Sequence, residues 1–458
     1  MSQIDNAFET TMEKLWENKK YNTLRDVLVT MQPAQVAALF AMMPDNAPAP
    51  LFRLLPKEQA AETFVEMEPD MQEKLIRSFS DTELKSVLDE LYVDDAVDLV
   101  EEMPANVVKR LLAQADPDMR KSINELLRYP EDSAGSIMTI EFVALRPQMT
   151  AADAIASIRR TGMDKETVNN CYIIDESRHL LGVVSLRGIV MAREDARMQD
   201  IMETNVIYVY TTEDRETVAN LFHKYNFIAL PVVDGENRMV GIVTFDDAMD
   251  VMQDAATEDM EIMAAMTPSE KTYLKSTPFD LFKHRIPWLM LLMVSATFTG
   301  MIITSFEDAL SLLPVLTAFI PMLMDTGGNC GSQSSVTVIR ALSLDELHFT
   351  DLFRVMWKEA RTAVLCGAAL AAACFLKILL VDRLLMGNES ISLLVNGVVC
   401  LTLCVTVILA KFVGCTLPLF AKRLGFDPAV MASPFITTIV DALSLLVYFL
   451  FAKLLLGV

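Results

Sequence analysis

Apolar and polar positions change rhythm twice along the chain, which divides it into three regions. In residues 1–130, short amphipathic stretches such as Ala37-Ala38-Leu39-Phe40 and Ala61-Glu62-Thr63-Phe64 restart at a nearly fixed interval. Prolines stand where they begin, at Pro44, Pro56, Pro69, Pro104 and Pro117, and Ser80-Asp81-Thr82-Glu83 reads as a capping box. Short helices that restart with a period predict a stacked, solenoid-like helical N domain. Residues 131–255 alternate strand-like apolar runs with helical ones. Residues 256–282 read as a linker helix, and residues 283–458 hold five apolar spans, near 286–304, 310–339, 362–381, 393–420 and 432–456.

In the middle region, a strand-like run from Ser136 to Leu145 precedes a helix over 151–160. Strands follow at Cys171-Tyr172-Ile173-Ile174 and Leu181-Gly182-Val183-Val184, then a helix near Leu186. The order returns with Asp200-Ile201-Met202, a helix over 215–224, strands at Ala229-Leu230-Pro231-Val232-Val233 and Met239-Val240-Gly241-Ile242-Val243, and a helix from Phe245. This α/β tandem resembles a pair of CBS motifs, a module that senses small ligands and usually dimerises. In the second repeat, Gly241-Ile242-Val243-Thr244-Phe245-Asp246-Asp247 falls where the family holds adenine nucleotide. The resemblance puts Thr244 near phosphate and Asp247 near ribose, with Phe227 lining a base pocket, and so makes ATP a candidate ligand.

Charge sharpens the division. From Thr277 onward acidic and basic residues cancel, so the whole net charge of −22 lies before it. An acidic soluble half attracts cations and repels nucleic acid. The N-terminus lacks the apolar core of a signal peptide and is expected to begin in the cytosol. Lys283, His284 and Arg285 precede the first span, and Arg340, Arg354, Lys358 and Arg361 lie between the second and third. With Lys422 and Arg423 before the fifth, the positive-inside rule gives a cytoplasmic N-terminus and an external C-terminus in the cell membrane. The seven cysteines lack zinc spacing and the four histidines are scattered, so neither a metalloenzyme nor a catalytic triad is expected.

Four polar features remain. Asp94, Asp95 and Asp98 crowd one helix, and Asp247, Asp250, Glu258 and Asp259 crowd a second. Like charges at i, i+4 repel, so each reads either as a solvated face or as a site for a cation. Oxygen-only clusters suit Mg²⁺ or Ca²⁺. The second span runs through Asp325-Thr326-Gly327-Gly328-Asn329-Cys330-Gly331. From Leu312 to Ile339 it would be about 40 Å long as one helix, more than a bilayer core, so it must break, tilt or project into the cytosol, and the glycines offer a place to break. Such a segment lines an ion path or packs tightly against another helix. Asp441 lies in the last span, where a carboxylate costs about 2.5–3.5 kcal/mol and faces a partner or a water path. A cation path is the favoured reading; the bland one is an ion pair with Lys411 or Lys377.

An acidic helical domain, tandem CBS motifs, a linker helix and five spans, taken in order, resemble the MgtE family of Mg²⁺ channels. The resemblance covers essentially the whole chain. The specific matches are Pro321-Met322-Leu323-Met324-Asp325-Thr326-Gly327-Gly328-Asn329 with Gly331 and Gln333, Asp427-Pro428-Ala429, and Thr438 with Asp441. It implies a homodimer in the lipid bilayer whose Mg²⁺ pore is built on Asp441, Asn329, Gly328 and Thr438. It further implies that cytosolic Mg²⁺ bound between the Asp94/Asp95/Asp98 and Asp247/Asp250/Glu258/Asp259 regions closes the pore through the linker helix, which acts as a plug. A broader divalent transporter for Co²⁺, Mn²⁺ or Ni²⁺, and a non-conducting Mg²⁺ or nucleotide sensor, are the alternatives. Ser433 and Lys411 depart from the family pattern, and Lys411 is expected to snorkel to the cytosolic side.

Overall fold

The computed structural model describes residues 2–44, 46–269, 273, 276–344, 346–388 and 390–457. They form two compact units, residues 1–252 and 253–458. The first opens with a helical array from α1 (Ser2–Glu17) to α10 (Pro117–Leu126). Pro69 and Pro117 are the first residues of their helices, where a missing N–H costs nothing, and Pro56 and Pro104 sit one position earlier. Asp45, after Pro44, lies outside the described residues, and the next helix starts at Pro48. Ser80 accepts the Glu83 N–H at 3.3 Å while the Glu83 carboxylate accepts the Ser80 N–H at 2.8 Å. Leu24, Leu28, Phe40, Leu51, Phe64, Leu75, Ile76 and Leu111 share one continuous core. The eighth helix of the array, α8 (Val93–Glu102), serves two cores: Leu99 stays in this one, while Val93, Ala96 and Val97 join Val209, Phe222, Val232 and Val243 of the following domain.

That domain holds two three-stranded sheets of identical topology. In the first, β1 (Phe142–Leu145) runs parallel to β2 (Thr167–Ile174), and β3 (Leu180–Ser185) runs antiparallel to β2. The second repeats this with β4 (Val209–Tyr210), β5 (Ala229–Val233) and β6 (Met239–Thr244). Helices α11 (Ala151–Thr161), α12 (Leu186–Met191), α13 (Met198–Ile201) and α14 (Arg215–Tyr225) connect them. The repeats exchange their leading segments: Thr139 bonds to Ile242 in both directions, as Glu203 does to Val183. Gly182 and Gly241 occupy equivalent crossings, where an added Cβ would lie 2.8 and 2.7 Å from the Glu203 and Thr139 carbonyl oxygens. Strand β1 begins later than the Ser136 start read from the sequence, because the residues before it pair across to the other repeat.

The linker helix is not a separate element. Helix α15 (Phe245–Met263) starts on the second CBS repeat and runs through the first part of residues 256–282, ending where Ala265 takes a positive φ of 54°. Residues 270–272, 274 and 275 of the linker lie outside the described residues.

In the second unit, α16 (Pro278–Ser305) is followed by the short α17 (Glu307–Leu312) and a 3₁₀ turn, Pro314–Phe319. Then come α18 (Ile320–Ser343), α19 (Leu352–Lys377), α20 (Leu393–Arg423) and α21 (Ser433–Phe451). The regions of α16, α19, α20 and α21 are long and apolar enough to cross a membrane. Helix α18 has membrane length, about 36 Å at 1.5 Å per residue, with a polar middle. The break expected at its glycines is absent. The chain breaks earlier, at Leu313 and Pro314, and the Leu316 carbonyl in that turn accepts the hydroxyl of fully buried Tyr448 at 3.0 Å.

The glycines are contact points instead. A Cβ on Gly327 would lie 2.7 Å from Thr406 Cγ2, one on Gly328 2.9 Å from Thr437 Cγ2, and one on Gly331 2.8 Å from Ile436 Cγ2. On α20, a Cβ on Gly414 would collide with the Gly331 carbonyl oxygen, so backbone meets backbone where α18 crosses α20. Small residues at such crossings let helices approach closely in lipid.

Candidate cation sites

Helices α18 and α21 line one open groove of about 470 Å³ with Ile320, Pro321, Met324, Asp325, Gly328, Asn329, Thr437 and Asp441. Helical spacing explains the set: positions 321, 325 and 329 recur every fourth residue on α18, and 437 and 441 do so on α21. Asp325 and Asn329 are exposed, while Thr437 and Asp441 are half-buried. Three of the four residues read from the sequence as pore-lining, Asp441, Asn329 and Gly328, therefore meet here. Thr438 does not line the groove. Both hydroxyls donate to the Pro434 carbonyl, Thr437 at 2.9 Å and Thr438 at 3.0 Å, but it is Thr437 that faces the groove. The Ser433 side chain lies outside the described residues. A helix that stays intact uses its own carbonyls internally, so Gly328 supplies space to the groove rather than a freed carbonyl.

Neither lysine pairs with Asp441. Lys377 bonds to Asp382 at 2.8 Å. Lys411 does not snorkel: it is 5% exposed, donates to Ser334 Oγ at 3.1 Å and lies 3.4 Å from Glu359 Oε2. Ser334 in turn donates to that Glu359 oxygen at 2.7 Å, so α18, α19 and α20 meet in one buried polar network. A hydrogen-bonded counter-charge within reach removes the reason to stretch toward water.

The cytosolic acids form a second group. Helix α8 presents Asp94, Asp95 and Asp98 toward Asp246 and Asp247 at the start of α15, with Glu141 and Glu166 beside them. Burial, and then the charge of Asp247, raise Asp94 well above the usual carboxylate range, and one Asp94 oxygen is buried with no hydrogen-bond partner. Burial and the same neighbour push Asp95 and Asp98 up to about 7, although Asp98 keeps solvent-exposed surface. Burial lifts Asp247 to about 6 against a hydrogen bond from Thr244 that favours its charged form. Glu166 rises to about 8 through burial and then the charge of Asp95. Glu141 accepts the Val93 N–H at 3.0 Å and so caps α8. Among the described residues, no three His, Cys, Asp or Glu side chains come close enough to hold a metal ion together. The group is one of crowded, partly desolvated carboxylates, which a cation would neutralise.

Two of the acids read from the sequence lie elsewhere. Asp250 is exposed on α15 and adds its charge to Asp247. Glu258 and Asp259 lie in the last turns of that helix, in the second compact unit. There Asp259 accepts the Ser343 hydroxyl at 3.2 Å, and burial followed by the charge of Asp427 raises it. Glu141 and Glu166 were not singled out in the sequence. Glu141 is a lone acid before β1 and Glu166 follows Asp164-Lys165 just before β2, and only the pairing of β1 with β2 brings both to α8. The nucleotide motif is closed on itself: Thr244 is buried and donates to Asp247, while Phe227 stacks on Tyr225 with ring centroids 5.4 Å apart.

Residues 31–132 match the MgtE intracellular N domain, 134–195 and 198–254 match CBS domains, and 320–451 match the MgtE family described as a divalent cation transporter. The chain is 35% identical to the magnesium transporter MgtE of Thermus thermophilus over 99% of both chains. It is 34% identical to that of Bacillus subtilis, over 95% of this chain and 94% of the relative. A crystal structure of the cytosolic domain of the Mg²⁺ channel MgtE in complex with ATP matches at 36% identity and a TM-score of 0.51. It covers 53% of this chain and 99% of its own. The chain is thus a multi-pass membrane transporter with an intracellular N domain, not an enzyme, and it belongs to the MgtE family of magnesium transporters.

Proposed function

We propose that this transporter is a Mg²⁺-selective channel for uptake, closed by Mg²⁺ on its cytosolic side and working as a homodimer. One observation carries the reading: Asp441, Asp325 and Asn329 face a common groove while both nearby lysines are engaged elsewhere. A buried or membrane-facing acid without a basic partner is costly unless water or a cation attends it. Mg²⁺ gives up its waters reluctantly, so carboxylate and amide oxygens around a roomy groove suit a hydrated ion held through its water shell. In a homodimer, two copies of Asp441 would share one axial site, and the open side of the groove would face the partner.

Regulation follows from the cytosolic acids. With Mg²⁺ scarce, Asp94, Asp95, Asp98 and Asp247 repel, and α8 is pushed from the CBS repeats. With Mg²⁺ abundant, the ion neutralises them and favours the docked arrangement, which is the differential affinity a ligand-driven switch requires. Helix α15 carries the signal: its last turns, Ile262 and Met263, pack against Ile339, Ala429 and Ala432 of the membrane unit. Asp259 contributes to this output end through Ser343. ATP is the proposed ligand of the second CBS repeat, on the strength of Thr244 and Asp247 and of the relative crystallised with it. The transmembrane order then leaves the end of α21 outside.

Liposome flux tests the reading in one experiment. Asp441→Asn and Asp441→Ala are expected to lose most Mg²⁺ uptake. The triple variant Asp95→Asn/Asp98→Asn/Asp247→Asn is expected to conduct but to ignore Mg²⁺ added on the cytosolic side. Wild-type flux in both Asp441 variants would remove the pore assignment, and intact inhibition in the triple variant would remove the sensor.

A further inference from the structure

Three sulfur atoms from three helices meet in the apolar core of the membrane unit. Met322 lies in the first turn of α18, Cys374 near the end of α19 and Cys400 in the second turn of α20. Cys374 Sγ is 3.9 Å from Met322 Sδ, and the Cys400 thiol is the neighbour of Cys374 in the same buried cluster. Both thiols are buried, at 7% and 9% exposure, among Leu323, Ile378, Val399 and Leu403. Cys400 is also held in place: its thiol lies 3.4 Å from Asn396 Oδ1, and buried Asn396 donates to the Phe375 carbonyl at 3.3 Å. All seven cysteines are free thiols.

A buried thiol by itself is only a small hydrophobe. Two thiols and a thioether converging from separate helices are a set of soft ligands, and soft sulfur ligands select Cu(I) over the hard cations that the acidic groups attract. The Cys374–Met322 separation of 3.9 Å fits as well. A metal at the centre of a trigonal sulfur set, about 2.3 Å from each, places the sulfurs about 4.0 Å apart. Charge balance favours a monovalent ion: M⁺ binds as one cysteine S–H bond breaks, the sulfur keeps the electron pair, and one proton leaves to water. The occupied site is then neutral, with one thiolate, one thiol and one thioether, and places no net charge in hydrocarbon. No oxidant or reductant takes part.

We infer that Met322, Cys374 and Cys400 form a binding site for a soft monovalent metal ion, Cu(I) or Ag(I), separate from the groove that holds Asp441. Met322 stands three residues before Asp325, so an ion here ties the start of α18 to α19 and α20 without occupying the Mg²⁺ path. The full-length protein in detergent, free of chloride and with ascorbate present, is titrated with Cu(I) against a chromophoric copper chelator. The expected result is one chelator-resistant ion per chain, with thiolate-to-copper charge-transfer absorption. Cys374→Ser/Cys400→Ser is expected to lose that ion and its absorption. Met322→Leu, which keeps the packing, weakens it by about 10–100-fold, the scale of removing one support from a metal site. Cys330→Ser/Cys366→Ser/Cys404→Ser/Cys415→Ser retains it. A wild type holding no resistant ion, a resistant ion that survives in Cys374→Ser/Cys400→Ser, one unaffected by Met322→Leu, or one lost from the fourfold variant would each overturn the assignment.

Discussion

Lys411 shows what a single residue can and cannot announce. A lysine inside an apolar span signals a special environment. Its partner Glu359, 52 residues earlier, sits in the charged stretch Lys358-Glu359-Ala360-Arg361 and reads as part of a cytosolic loop. Nothing local distinguishes Glu359 from its neighbours; the register of α19 against α20 does. The same holds for Thr437 and Thr438, adjacent hydroxyls between which only the rotation of α21 decides. Removing one member of a buried pair strands the other, at about 3–5 kcal/mol, whereas replacing both can be nearly neutral. Lys411→Met is therefore expected to lower the thermal midpoint of the detergent-solubilised protein sharply, and Lys411→Met/Glu359→Gln to recover most of the loss. Additive effects of Lys411→Met and Glu359→Gln would mean the two side chains act independently.

Among elements, α18 departs furthest from its reading. Three glycines in five residues mark close approach or a break, and composition does not choose between them. The partner chooses: Gly414 on α20 presents no side chain to Gly331, so the helices close on each other and α18 stays straight. Within the CBS repeats β3, β5, β6, α11 and α14 were legible almost to the residue, because strand alternation and the duplicated order are local signals, whereas β1, β2 and β4 begin elsewhere than their apolar runs suggest. The exchanged leading segments were not legible, since that pairing spans 103 residues from Thr139 to Ile242. Gly414→Ala tests the crossing against Gly397→Ala on the same helix, where an added Cβ meets nothing within 4 Å. The first is expected to destabilise the membrane unit by about 1–3 kcal/mol, as overpacking does. The second should be neutral or stabilise by about 0.5–1 kcal/mol through helix propensity. Chemical unfolding in mixed micelles separates the two, and equal effects would show that the crossing tolerates a methyl group.

For the whole molecule, the decisive quantity is where charge sits. The sequence places all the net negative charge in the cytosolic part, but only folding makes it strained, by turning α8 toward α15 and burying Asp94. The folded unit holds protons on Asp95, Asp98, Asp247 and Glu166 at about 6 to 8, well above the ordinary carboxylate range near 4. Between those limits the folded state binds more protons than the unfolded one, so stability must fall as pH rises. Without divalent cations, the unfolding midpoint of the cytosolic unit is expected to drop steadily from about pH 4 to about pH 8. Saturating Mg²⁺ should flatten the decline above pH 6, and Asp95→Asn/Asp98→Asn/Asp247→Asn should flatten it without Mg²⁺. A midpoint that climbs with pH in metal-free buffer would show that these acids are not crowded in the folded protein.

The turn that precedes α18 tightens the helical pitch, and the Leu316 carbonyl within it accepts the Tyr448 phenol hydroxyl. In oil no solvent molecule can take over that duty. An aromatic ring that looks like mere filler in the final helix thus also anchors the backbone of this turn through its phenol oxygen, a contact that phenylalanine would lack.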